Sequence, residues 1–90
     1  MKIQNVVMAG SLESNDVLVT LRPTDNDKLF INLESIVQKQ FANRIKKIID
    51  DMLNEFNVES GDIHVQDRGA LDCTLRARLE TALSRAEEGR

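Results

Sequence analysis

The stretch Val37-Gln38-Lys39-Gln40-Phe41-Ala42-Asn43-Arg44-Ile45-Lys46-Lys47-Ile48-Ile49-Asp50-Asp51-Met52-Leu53-Asn54-Glu55-Phe56 decides the fold. Its apolar residues fall at Val37, Phe41, Ile45, Ile48, Met52 and Phe56, in steps of four and three, and Ile49 and Leu53 widen the stripe. That spacing is one face of a 3.6-residue period, uninterrupted by Gly or Pro. Ser35 and Gln38 stand ahead of it at capping-box spacing, each side chain placed to meet an orphan backbone N–H. The pattern predicts a helix of about five turns ending near Asn57. Lys46, Lys47, Asp50 and Asp51 lie opposite the stripe as i,i+4 pairs. Their acid follows the base, the weaker orientation, so they add solubility more than stability.

Strand patterns flank this helix. Val6-Val7-Met8 is a short apolar run closed by Gly10, and Val17, Val19 and Leu21 share one face of a β-rich run that ends at Arg22. Pro23-Thr24-Asp25-Asn26-Asp27 is turn-forming, because Pro fixes φ and Asp and Asn close local turns. Leu29, Ile31 and Leu33 then alternate with Lys28, Phe30 and Asn32, which reads as the return strand of a hairpin. After the helix, Ser60-Gly61-Asp62 reads as a turn and Ile63 and Val65 as a short strand with His64 on its other face, ended by Gly69. From about Ala70, the residues Leu71, Leu75, Leu79, Ala82 and Ala86, with Leu83 beside them, predict a second amphipathic helix. Asp72 near its start suits the positive helix terminus, and residues 87–90 are expected to fray. The order β-β-β-α-β-α implies one α+β domain over residues 1–90. Its sheet is small, mixed or antiparallel, with both helices packed on one face.

Composition narrows the function. Ninety residues suffice for one core, since folding at this size removes roughly 60–70% of the unfolded surface from water. Apolar residues at 41% and charged residues at 30% describe a globular chain, and the only aromatics are three Phe, so the core must be aliphatic. The same poverty removes the usual platforms for stacking bases or sugars. A net charge of −3 argues against nucleic acid, which calls for a basic footprint, and suits pairing with basic partner surfaces. Cys73 is the single cysteine and cannot form an internal disulfide. No apolar run approaches the ~18–20 residues that span a bilayer, and the N-terminus shows no apolar leader segment. The expectation is a cytoplasmic protein without a membrane role.

Few side chains could do covalent chemistry. His64 reads as a surface or half-buried histidine, since no second ligand stands at metal-site spacing. Cys73 falls in the first turn of a helix, but without a base nearby it reads as a packing residue. Glu13, Asp16 and Asp72 form no recognisable acid–base pair, and Gly10 and Gly69 stand too far apart for a phosphate loop. Arg68, Arg76, Arg78 and Arg85 surround the second helix, either as a solvated face or as a docking patch for an acidic or phosphate-bearing partner. What remains is Ala9-Gly10-Ser11-Leu12-Glu13-Ser14-Asn15-Asp16, two hydroxyls in an acidic loop. Such a loop is built to be modified more than to react, unless its Ser and Asp only close local turns.

Three segments taken together resemble the acyl carrier, or gamma, subunits of citrate lyase. They are Ala9 to Val17, Val37-Gln38-Lys39-Gln40-Phe41, and Asp67-Arg68-Gly69-Ala70-Leu71-Asp72-Cys73-Thr74-Leu75-Arg76-Ala77-Arg78-Leu79-Glu80. The likeness runs in order along essentially the whole chain. It implies that the serine of the Leu-Glu-Ser triplet, Ser14, carries a prosthetic group through a phosphodiester. The implied group is 2′-(5″-phosphoribosyl)-3′-dephospho-CoA. Ser11 stands where the family often has Thr, so the choice of Ser14 rests on the triplet.

The resemblance further implies a non-catalytic carrier whose arm holds acetyl and citryl thioesters. The alpha (acyl transferase) and beta (citryl lyase) subunits would act on that arm while citrate is cleaved to acetate and oxaloacetate. A separate transferase would attach the arm. Glu13 and Asp16 would then lend the loop a negative charge that attracts basic partner surfaces. The carriers of malonate decarboxylase or citramalate lyase are the near alternative. Cys73 and the Arg76-Ala77-Arg78-Leu79-Glu80 run favour citrate lyase. The alternative of another class is an unmodified α+β adaptor that binds through Arg76 and Arg78.

Overall fold

A computed structural model describes residues 1–36 and 39–89 of the chain. Four strands and two helices follow in the order β1 (Val7–Gly10), β2 (Val17–Arg22), β3 (Leu29–Ser35), α1 (Lys39–Glu55), β4 (Gly61–Asp67) and α2 (Asp72–Glu88). The strands form one mixed sheet in the order β1-β2-β4-β3. β1 and β4 both run antiparallel to β2, with Gly10 opposite Leu18 and Asp67 opposite Val17. β3 runs parallel to β4, with Ser35 opposite Asp67. The α+β class and the element order are those expected.

Two details of the sheet are not. β2 and β3 point in opposite directions but do not pair, because β4 lies between them. The six residues 23–28 that join them are too long for a tight hairpin, and they carry the chain across the two strand spacings of about 5 Å each that β4 occupies. Alternation told which face β2 and β4 bury but not which neighbour each strand takes. Burial shows why β4 is central: Ile63 and Val65 are fully buried, whereas β3 stays largely exposed along its length, as an edge strand does. β4 is also longer than expected, since Gly61 and Asp62 join the ladder and do not form a turn.

The core fills one face of the sheet. Val17, Val19 and Leu21 of β2 and Ile63 and Val65 of β4 meet Ile45, Ile48, Ile49, Met52 and Leu53 of α1 and Leu75, Leu79, Ala82, Leu83 and Ala86 of α2. α2 lies over β1 and β2, and α1 packs beside α2. The α1 stripe is therefore buried as its period requires, except that Phe41 at its start stays exposed.

α1 ends where the sequence placed its end, for a visible reason. Asn57 adopts φ 54°, its N–H donates to the Asn54 carbonyl at 3.1 Å, and the Val58 N–H reaches the Leu53 carbonyl at 3.0 Å. This pair of bonds is a Schellman closure with Asn in the left-handed position. At the other end, Ser35 completes β3, and the Gln38 half of the expected capping box, like Val37, lies outside the described residues. α2 begins two residues later than expected. Leu71 precedes it, exposed and not in the buried stripe. No described helix is long and apolar enough to cross a membrane.

Leu79 is fully buried between α2 and the sheet. Leu79→Ala is expected to lower unfolding free energy by about 2–5 kcal/mol, measured by urea denaturation, because the transfer loss and the cavity add.

Candidate functional site

The β1–β2 hairpin turns through residues 11–16, and its backbone is fixed at both ends. Gly10 holds φ +95°, and a Cβ built there would come within 1.8 Å of the Val17 carbonyl oxygen. Only glycine allows the two strands this approach. Within the loop, the Ser11 N–H donates to the Val17 carbonyl at 3.3 Å and the Asp16 N–H to the Glu13 carbonyl at 3.1 Å. Asn15 takes the left-handed conformation, φ 64°, which Asn tolerates better than most residues.

The loop is also tied to the far end of β4. The Asn15 N–H donates to the Arg68 carbonyl at 2.8 Å, and the Arg68 N–H returns a bond to the Asp16 carbonyl at 2.9 Å. The segment providing these groups is itself held by Asp67. That buried carboxylate accepts from the Ser35 hydroxyl at 2.8 Å and from the Ala70 N–H at 3.0 Å. It ties the end of β3 to the approach to α2.

Asp16 is the centre of the loop's polar network. Arg78 of α2 donates to both of its oxygens, Nε at 3.1 Å and Nη2 at 3.0 Å. The Ser11 hydroxyl donates at 2.7 Å and the Val17 N–H at 2.7 Å. These donors favour the ionised form, the arginine most, and hold the Asp16 carboxyl down at about 2 against an ordinary 3.8. The expected outward charge of Asp16 is thus turned inward onto a guanidinium, and Glu13 stays exposed beside it.

The two serines separate cleanly. Ser11 is partly buried, donating to Asp16 and accepting the Glu13 N–H at 3.3 Å. Ser14 is exposed at the turn, and its hydroxyl has no hydrogen-bond partner among the described residues. A chemically free oxygen therefore sits on a loop whose backbone is anchored on both sides.

The other candidates disperse. Arg85 donates to the Met8 carbonyl at 2.8 Å, so with Arg78 two of the four arginines serve the β1–β2 side of the fold, while Arg68 donates to the carbonyl of its neighbour Asp67 at 3.3 Å. Arg76 is exposed. His64 lies on the sheet face away from the helices, with Nε2 at 3.2 Å from Glu34, in a shallow cleft that also borders Arg22, Asn32 and Asp62. Cys73, expected to be packed, is exposed, because two residues before Leu75 it falls on the opposite side of α2 from the buried stripe. The roles of Asp67 and Arg78 were not visible in the sequence. The one available signal was an Asp at a strand end three residues before a break in the pattern.

The family described as "ACP: Malonate decarboxylase delta subunit (MdcD)" matches residues 4–86. A citrate lyase acyl carrier protein of Albidiferax ferrireducens is 48% identical over 86 residues, covering 96% of this chain and 88% of its own length. One from Streptococcus mutans is 43% identical over 88 residues, covering 98% and 86%. Among solved structures, a chain of a Pseudomonas malonate decarboxylase hetero-tetramer in complex with malonate superposes with a TM-score of 0.82. It is 23% identical over 96% of this chain and 88% of that one. The RNase P protein of Staphylococcus aureus gives 0.59 at 17% identity, covering 87% and 82%. At these identities the two structures share a fold with this chain.

Two outcomes test the anchoring. Gly10→Ala should cost about 1–3 kcal/mol or more of stability by thermal unfolding, since it forces a side chain into a left-handed position against backbone. In Arg78→Gln, the Asp16 carboxyl followed by NMR should titrate nearer 3.8 than 2. A carboxyl lowered on folding contributes stability fully present above about 3.8 and lost as pH falls towards about 2. The parent's stability advantage over Arg78→Gln should accordingly hold at neutral pH and shrink through that acid window.

Proposed function

The chain belongs to the acyl carrier protein family of citrate lyase and malonate decarboxylase, and from that premise we propose that it is a carrier subunit of citrate lyase, modified on Ser14. The observation that carries the site is the contrast between its two serines. Ser11 is bound up in the Asp16 network, while Ser14 offers an exposed oxygen on a rigidly held turn. An attaching transferase can approach such an oxygen without unfolding anything.

The residues present fit a covalent arm of the phosphoribosyl-dephospho-CoA type. Ser14 Oγ would hold it through a phosphodiester, the serine oxygen displacing inorganic polyphosphate from an activated polyphosphate ester of the arm while its hydroxyl proton passes to the attaching enzyme. When attached, such an arm supplies a terminal thiol that carries the acyl group between subunits. The chain's own contribution is position. Arg78, Ser11 and the Arg68 backbone fix where the tether begins, and a fixed origin keeps its far end at high effective concentration near the partner subunits. Nothing in the loop needs a general base, which accords with the unpaired Ser14 hydroxyl and the charge-locked Asp16.

Citrate is favoured over malonate as the substrate of the complex. The citrate lyase carriers are 43% and 48% identical to this chain, whereas the chain in the malonate decarboxylase structure is 23% identical. The family description, which names the malonate enzyme, keeps that carrier as the second reading.

Protein produced together with its biosynthetic partners should gain the mass of the arm, and peptide fragmentation should place it on Ser14. Ser14→Ala should fold with the parent's thermal midpoint, take up no arm and abolish activity of the reconstituted lyase. An adduct on Ser11 would move the site, and full activity in Ser14→Ala would overturn it. Reconstitution with citrate lyase and malonate decarboxylase subunits in parallel decides between the two complexes.

A further inference from the structure

The end of the molecule that carries Ser14 also carries four of the nine exposed large apolar side chains among the described residues. β3 and β4 both finish there, and α1 and α2 both begin there. Leu12 in the hairpin loop is 47% exposed, Ile36 after β3 is 67% exposed, and Leu71 before α2 is 69% exposed. Phe41 in the first turn of α1 is 42% exposed. Leu71 and Ile36 are the two most exposed large apolar side chains among the described residues.

Ile36 and the hairpin loop meet at Gly69. A Cβ built on Gly69 would lie 3.6 Å from Ile36 Cδ1 and 3.7 Å from Asn15 Oδ1, so Ile36 and the residue next to Ser14 flank the same glycine. Leu71 follows that glycine by two residues, and Leu12 precedes Ser14 by two. Arg44 lies over the Phe41 ring and pairs with Asp72 at 3.4 Å, which joins the start of α1 to the start of α2 beside Leu71. Single exposed aliphatics need no explanation, but a cluster around one functional atom marks a surface that becomes covered.

We propose that Leu12, Ile36 and Leu71, with Phe41 at the margin, form the apolar docking rim for the transferase that joins the arm to Ser14. The inference rests on the reading of Ser14 as the attachment site. Bond-forming distance selects this occupant over the others. An enzyme making a bond to Ser14 Oγ must bring its reacting atoms against the hairpin turn, and so must cover the side chains around it. Subunits that act on the far end of a long arm are under no such constraint. The matching surface on the transferase is an apolar recess surrounding its phosphoryl-transfer site.

The test uses the full-length unmodified chain, its attaching transferase and the activated arm donor, with loading followed by intact mass. Ile36→Ser and Leu71→Ser are the variants, and Ser is a favoured residue at the position before α2, so Leu71→Ser does not threaten the helix. Circular dichroism and the thermal midpoint should match the parent. Each variant should lower kcat/KM for loading by about tenfold, the loss expected when an aliphatic anchor leaves a buried interface. The loss should appear as a raised KM for the carrier with kcat nearly kept. Loading at the parent's rate, with the parent's arm mapped to Ser14, overturns the rim and leaves the attachment site standing. An arm mapped elsewhere on the parent overturns both. Normal loading with failed assembly into the lyase complex assigns the rim to those subunits and overturns the proposal, as does a self-associating parent that both variants make monomeric.

Discussion

β4 is hydrogen-bonded along both edges, antiparallel to β2 and parallel to β3, and its last residues reach the hairpin loop between β1 and β2. Everything at the Ser14 end of the molecule depends on this placement. Because β4 runs beside β2, Arg68 arrives opposite Asn15 and Asp16 and closes two backbone bonds with them. Because it also runs beside β3, Asp67 meets Ser35 and fixes the departure of the chain towards α2. α2 then returns across β1 and β2, which brings Arg78 over Asp16 and Arg85 over β1.

The consequence is a loop held by hydrogen bonds at both ends that leaves the Ser14 hydroxyl without a partner among the described residues. Asp16 is held by an arginine fork, a serine hydroxyl and a backbone N–H, so its charge is spent inside the loop. Charge-assisted bidentate contacts of this kind carry geometric specificity as well as energy. Ser11 belongs to that network and is unavailable; Ser14 lies outside it and is available. The same carboxylate thus distinguishes two chemically identical side chains three residues apart. The carrier role proposed above would need no more chemistry than this from the chain itself, which has one His and one Cys.

Much of this was legible beforehand, and the limits are instructive. The period of α1 was plain because Ile45, Ile48, Ile49, Met52 and Leu53 all bury, and its end was marked by an Asn able to take a left-handed turn. The β2–β3 hairpin was misread because alternation in residues 29–33 records a face and says nothing of a neighbour. Leu71 is exposed because a helical period does not show where the helix begins, and Cys73 because it stands nearly opposite the buried stripe of α2. The engagement of Arg78 with Asp16 and of Arg85 with the Met8 carbonyl was not legible, because these partners lie 62 and 77 residues away in sequence.

The Leu-Glu-Ser triplet stood out through the family resemblance alone; by itself the sequence determined which segments are helix or strand and which faces they bury. These follow from local periodicity and residue type, and neighbouring residues carry both. Only the tertiary structure decided the strand order, the inward turn of Asp16 onto Arg78, and the freedom of Ser14 against the engagement of Ser11. Each of those depends on groups brought together from opposite ends of the chain. Asp16 and Arg78 are 62 residues apart, and no local pattern records a contact made across that distance.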